Sequence, residues 1–251
     1  MHSPAPQPIP SDMLLLAYRR GIFPMADSRD DPEVFWVEPR VRAILPLDGF
    51  HLSRSLAKVL RQDKFRVTCN AAFDQVIAAC AAPRADHPES WISGRIEASY
   101  RQLHFSGHAH SIECWRGEEL VGGLYGVGFD GVFCGESMFS RVPDASKVAL
   151  AWLVAALRRG GARLLDCQFM TEHLASLGAV EISQQRYLEL LADAQAVGPV
   201  EAGDGTATGS SPWASAGSAL PLPDAFELLL RVAETSGALG KSIVQSLTHT
   251  S

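Results

Sequence analysis

The chain has 251 residues, 47% of them hydrophobic and 20% charged, with a net charge of −6. That balance excludes a disordered chain, and its longest apolar runs, such as Val148 to Leu157, fall short of the roughly 20 residues a bilayer-spanning helix needs. The acidic total argues against a surface that coats nucleic acid generally, while leaving room for a local basic face.

Five cysteines (Cys69, Cys80, Cys114, Cys134 and Cys167) without a C-x-x-C pair predict reduced thiols, with no disulfide framework and no structural zinc. The proline-rich stretch Met1 to Pro10 lacks a basic region followed by an apolar one, which predicts a cytoplasmic protein. Leu14 to Gly21 then predicts a short helix, stopped by glycine after two arginines. Ile22 to Met25 leads into a loop, and Val34 to Val37 and Arg42 to Leu45 read as short strands around Glu38-Pro39-Arg40. Together these residues, 1–46, predict a small N-terminal α+β unit.

His51 to Gln62 predicts a helix with Leu52, Leu56, Val59 and Leu60 on one side and Arg54, Lys58 and Arg61 sharing the other. With Lys64 and Arg66 just beyond, this is the densest basic patch of the chain, read either as a solvated face or as one that binds phosphates. Asn70 is expected to cap a helix through Cys80. A polar loop from Pro83 to Glu89 delivers Ser90-Trp91-Ile92, and a helix follows from Arg95 to Phe105. The alternating run His108 to Trp115 predicts a strand with His108 and His110 on one face; without a third ligand nearby, hydrogen-bonding roles are preferred over a metal site.

Strands over 119–127 and 131–135 complete an antiparallel meander that delivers Glu136 at its end. Asp144 or Ser146 is expected to cap a largely buried helix running to Arg159, which Gly160-Gly161 stops. Leu164 to Cys167 returns as a strand carrying Asp166 and followed by Gln168, so that its end converges with the strand before Glu136. Thr171 caps a short helix through Leu177, and Gln184 to Ala196 forms another. Val197 to Pro223 has the composition of a flexible linker, Ala225 to Ala233 suits one amphipathic helix, and the remainder to Ser251 reads as loosely ordered.

Glu136, between Gly135 and Ser137 in apolar sequence, is either paired or poised for chemistry. A serine-nucleophile elbow is absent, because 135–139 lacks the second glycine. A cysteine nucleophile built from Cys134 or Cys167 with His173 is disfavoured, since strand-interior thiols are more often inert. There is no Walker A run, and Gly122-Gly123-x-x-Gly126 lies inside a strand and does not open a helix. The order of elements resembles the Gcn5-related N-acyltransferase fold. Its coenzyme A users carry a glycine-rich pyrophosphate loop, whereas Ser140 to Lys147 contains no glycine, which disfavours coenzyme A.

Six runs then carry a more specific resemblance: Tyr18 to Pro24, Ser90-Trp91-Ile92, Gly107 to Glu113, Leu120 to Gly126, Phe133 to Arg141 and Asp166-Cys167-Gln168. Together, over about residues 13–190, the chain resembles the leucyl/phenylalanyl-tRNA–protein transferases. It departs from their pattern in carrying Met25 where Trp is common and in lacking a Gly-Gly-Asp-Leu run before the first helix. The resemblance implies an α+β protein in which 47–196 form an acyltransferase-like catalytic domain with a mixed, mainly antiparallel sheet, and 197–251 a linker and tail. It implies a monomeric enzyme that needs no cofactor or metal and no membrane. The enzyme would move Leu, Phe or Met from aminoacyl-tRNA to acceptor proteins with N-terminal Arg or Lys, marking them for N-end-rule degradation. Asp166 with Gln168 would hold and deprotonate the incoming amine, and Glu136 would bind the cationic acceptor or the terminal ribose. Trp91 would stack on the terminal adenine, with Met25, Leu124, Phe133, Gly135, Met138 and Leu153 around the aminoacyl group. Arg54, Lys58 and Arg61 would contact tRNA. The competing readings are a coenzyme A-dependent N-acyltransferase of the same fold and a non-catalytic tRNA-binding module.

Overall fold

The computed structural model describes residues 7–83, 89–196, 219–235 and 238–248. Helix α1 (Ser11–Arg19) buries Leu14, Leu15 and Tyr18, and Gly21, at φ +78°, turns the chain out of it. The segment expected to lead into a loop, with no element assigned to it, contains strand β1 (Phe23–Met25), paired antiparallel with β2 (Phe35–Val37). Next come β3 (Val41–Ile44), α2 (Arg54–Arg61), β4 (Arg66–Cys69), α3 (Phe73–Ala81) and α4 (Gly94–Phe105). The meander follows as β5 (Ala109–Arg116), β6 (Glu119–Phe129) and β7 (Val132–Ser140), then α5 (Ala145–Arg159) and β8 (Leu164–Gln168). The last described elements are α6 (Glu172–Ser176), β9 (Val180–Ser183), α7 (Gln184–Gln195), α8 (Leu222–Thr235) and α9 (Leu239–Thr248).

The fold is α+β. Strand β3 does not pair with β2; it lies between β8 and β9 in a sheet ordered β4-β5-β6-β7-β8-β3-β9. Every described pairing in that sheet is antiparallel except β7 with β8, the pair joined by the α5 crossover. Apolar residues are buried on both faces of β6, because helices cover both. Helices α2, α5, α8 and α9 close one core and α1, α3, α4 and α7 the other. The glycines of β6 admit close neighbours: a Cβ on Gly122 would stand 2.5 Å from the Ala145 Cβ, and one on Gly126 would stand 2.3 Å from the Cys134 carbonyl oxygen.

Three expected local features take a different form. Strand β7 runs on to Ser140, so Glu136 sits within it, at a register shift against β6, and not at its end. Asn70 adopts φ +58° and spends its side chain on the Ser111 N–H (3.0 Å) and on His110 Nδ1 (3.0 Å). The N–H groups before α3 are taken by the Glu113 carboxylate, which accepts from Ala71 (3.3 Å) and Ala72 (3.4 Å). Asp144 adopts φ +71° and makes no capping bond; Ser140 Oγ accepts from the Ser146 N–H instead, at 3.2 Å. Thr171 caps α6 as expected, accepting from the Leu174 N–H at 3.2 Å.

Most of the expected linker, 197–218, lies outside the described residues. Beyond it the tail is helical: α8 places Phe226 5.5 Å from Trp152 of α5, ring centre to ring centre, and α9 buries Ile243, Val244 and Leu247. Among the described residues no helix is long and apolar enough to cross a membrane. Phe226 is buried against the central core, so Phe226→Ala should cost about 3–5 kcal/mol in urea unfolding. A loss below about 1 kcal/mol would mean that the tail does not belong to the folded core.

Candidate active site

Strands β7 and β8 stay paired from Val132 with Leu164 to Cys134 with Asp166, and there the pairing stops. Strand β7 continues along β6, while β8 ends in Gln168 at φ +62°. The splay opens a cleft of about 580 Å³ between them. Glu136 and Gln168 meet in it, with Gln168 Nε2 donating to Glu136 Oε1 at 2.9 Å. Leu124, Met138, Leu150, Leu153 and Leu165 supply apolar wall, and Met25 and Trp91 also line the cleft.

Glu136 is 8% exposed, and its carboxylate is held by two phenols as well as the amide. Tyr18 donates to Oε1 at 2.8 Å and Tyr100 to Oε2 at 3.0 Å, and the two hydroxyls also touch each other. Burial pushes the Glu136 pKa up, and the charge of Asp166 adds to the rise; hydrogen bonds from Tyr18, Gln168 and Tyr100 resist it. The result is a carboxyl group raised to about 7. Such a group is poised to exchange a proton near neutrality.

Asp166 is arranged differently. It is 0% exposed, does not line the cleft, and accepts from Arg42 Nε (2.9 Å), Arg42 Nη2 (2.5 Å), Tyr187 (3.0 Å) and the Gln168 N–H (2.8 Å). Arg42 is 1% exposed, lies between the rings of Phe23 and Tyr187, and donates to the Gly21 carbonyl at 3.0 Å. Burial works against the Arg42 charge, and the Asp166 carboxylate more than offsets that, so the guanidinium stays above its ordinary pKa.

Of the residues singled out from sequence, Glu136, Gln168, Trp91, Met25, Leu124, Gly135, Met138 and Leu153 line one cleft. Phe133 is buried outside that lining. Arg54, Lys58 and Arg61 lie exposed on α2, away from the cleft. Cys134 and Cys167 are held above the ordinary thiol range by burial and then by the Asp166 charge, so neither is a thiolate near neutral pH. Sequence reasoning missed Tyr18, Tyr100, Tyr187 and Arg42 as parts of the site. An available signal for Arg42 was a lone cation in the strand Val41-Arg42-Ala43-Ile44-Leu45.

Two family descriptions match this chain. "Leucyl/phenylalanyl-tRNA protein transferase" matches residues 44–192, and the N-terminal domain of the same family matches residues 9–40. The chain belongs to the leucyl/phenylalanyl-tRNA–protein transferase family. It is 64% identical to the protein of that name from Novosphingobium aromaticivorans, over 98% of each chain. The proteins of that name from Rhizorhabdus wittichii and Zymomonas mobilis are 63% and 61% identical, over 73% and 72% of this chain and 74% and 68% of theirs. The earlier resemblance is therefore borne out, and with it an aminoacyltransferase.

The raised Glu136 pKa has a consequence for stability. Between its ordinary 4.5 and about 7, the folded carboxyl keeps its proton while the unfolded one loses it. Stability from this group is therefore lost as pH rises through that window, in total on the order of 3 kcal/mol. Glu136→Gln should remove this loss, so the variant should gain on the native protein between pH 4.5 and 8 in urea unfolding. An equal pH dependence in the two proteins would contradict the raised pKa.

Proposed function

We propose that this enzyme transfers Leu, Phe or Met from aminoacyl-tRNA to the N-terminal Arg or Lys of acceptor proteins, which marks them for N-end-rule degradation. The observation that carries the reading is the buried Glu136–Gln168 pair facing an apolar-walled cleft, in a chain of this family. Leu124, Met138 and Leu153 suit an aminoacyl side chain, and Trp91 offers a face for the terminal adenine. Arg54, Lys58 and Arg61, exposed on one side of α2, suit tRNA phosphates. The proposal extends to a monomer working in the cytoplasm.

The chemistry asks little of the protein. Aminoacyl-tRNA is an activated ester, and the acceptor amine, with a pKa of roughly 7.7–8.0, must arrive neutral or lose a proton on attack. The nitrogen attacks the ester carbonyl, a C–N bond forms, and the terminal ribose oxygen leaves with a proton. We assign the proton-accepting role to Glu136, whose carboxylate form prevails above about pH 7. Gln168 orients that carboxylate through its side-chain amide. Asp166, first expected to act on the amine, is assigned a positioning role here, because it is fully buried outside the cleft lining and paired with the buried Arg42 guanidinium. The alternatives of a coenzyme A-dependent acyltransferase and a non-catalytic module draw no support from the family match.

Transfer of radiolabelled leucine from Leu-tRNA to a peptide beginning with Arg, with an Ala-initiated peptide as control, tests the reading. Transfer to the Arg peptide alone is expected, with a rate that rises through pH 7. Glu136→Gln should lower the rate by up to about 10²-fold and leave only the limb set by the amine. Unchanged transfer by Glu136→Gln would remove Glu136 from the mechanism.

A further inference from the structure

Helix α9 meets the end of α2 at close quarters. A Cβ on Gly240 would stand 1.8 Å from the Leu60 carbonyl oxygen, so only glycine fits there. The Gly240 N–H, at the start of α9, donates to Asp63 Oδ1 at 2.8 Å. Asp63 is the one acid in the stretch from Arg54 to Arg66, and the turn that places it has φ +46°. Docking of α9 therefore occupies that carboxylate with a helix N-terminus, where a negative charge is favoured.

Arg54, Lys58, Arg61 and Lys64 are left on this surface, all exposed, and none forms an ion pair with a described residue. The residue after Gly240 is Lys241, also exposed and also without an ion pair among the described residues. In a chain of net charge −6, these five exposed cations, without an ion pair among the described residues, suit a polyanion lying along α2 and the start of α9. Arg158 of α5 donates to the Ser246 carbonyl of α9 at 2.8 Å, and Ile243, Val244 and Leu247 are buried in the same core as Leu56 and Leu60 of α2. That packing fixes where Lys241 is presented.

We infer that the C-terminal hairpin α8–α9 is part of the RNA-binding surface, and that Lys241 extends the cationic row of α2 to engage a further phosphate of the tRNA body. The inference rests on the tRNA reading of α2 given above. It goes beyond that reading because the hairpin lies past residue 192, where the family match ends.

The test is equilibrium binding of a leucine-accepting tRNA transcript to the full-length protein as a function of salt. Lys241→Ala should weaken binding about 3- to 10-fold near 0.1 M salt and reduce the slope of log K against log salt by roughly 0.7–0.9. Lys241→Glu should weaken it further. Gly240→Val, which must push α9 away from Leu60, should reproduce the Lys241→Ala slope although the lysine is kept. Transfer from a short aminoacyl-adenosine donor, which lacks the tRNA body, should be unaffected by either Lys241 change. If Arg54→Ala/Lys58→Ala/Arg61→Ala together lower the slope while both Lys241 variants bind as the native protein does, the hairpin has no part in the surface and this inference is wrong. If the triple variant also binds unchanged, the tRNA reading of α2 falls with it.

Discussion

Arg42 and Asp166, 124 residues apart in sequence, form an ion pair that water does not reach. Removing two charges from water costs several kcal/mol each, a cost that only close geometry and further hydrogen bonds can offset. Both conditions hold. The guanidinium meets the carboxylate through two nitrogens, the Gly21 carbonyl takes a third donor, and rings from Phe23 and Tyr187 cover its faces. The pair thereby ties together the turn after α1, β1, β3, β8 and α7. It also sets the end of β8, since Asp166 Oδ1 accepts from the Gln168 N–H and so supports a left-handed conformation that a non-glycine residue adopts only at a cost. That turn sends the Gln168 side chain to Glu136.

The two acids of the site therefore do opposite jobs for a physical reason. Asp166 has a permanent cation beside it, so its negative charge is compensated, and it lies outside the cleft lining. Glu136 has phenols and an amide, which are neutral donors; they hold the carboxylate in place without supplying a compensating charge. Burial then wins over those hydrogen bonds and the carboxyl titrates near neutrality. Two carboxyl groups with environments this different can divide positioning from proton transfer within one small site.

Much of this was legible locally. Glu136 and Gln168 stood out because a polar residue between apolar strand positions needs a reason, and the crossover helix between them predicted neighbouring strands. The pocket walls came from the family resemblance instead, and the fold places two of those residues, Leu124 and Met138, opposite one another on β6 and β7. What sequence reasoning lost was non-local or disguised. Strand β1 carries Pro24 at its centre, which normally argues against a strand and is tolerated in a two-stranded ribbon at an edge. Strand β9 is a four-residue strand between helices, and only the insertion of β3 beside it gives it a partner. Asn70 obeys the usual N-cap rule in sequence, yet its side chain finds partners on β5, and Glu113 takes the N–H groups instead. No local pattern could pair Arg42 with Asp166, because that contact exists only once β3 has entered the sheet.

Asp166 acts through Gln168 and not on the substrate itself. The direct measurement is the single-turnover transfer rate against pH for the double variant Arg42→Met/Asp166→Leu, which removes the buried pair without stranding either charge. The expected result is a cooperatively folded protein whose rate is reduced at every pH. Its limb near pH 7 should persist and move upward, because Glu136 remains as the base and loses the Gln168 hydrogen bond that held its pKa down, a larger effect than the Asp166 charge that raised it. Disappearance of that limb would make Asp166 the base, and a rate equal to the native enzyme's would show that the pair does not hold the site together.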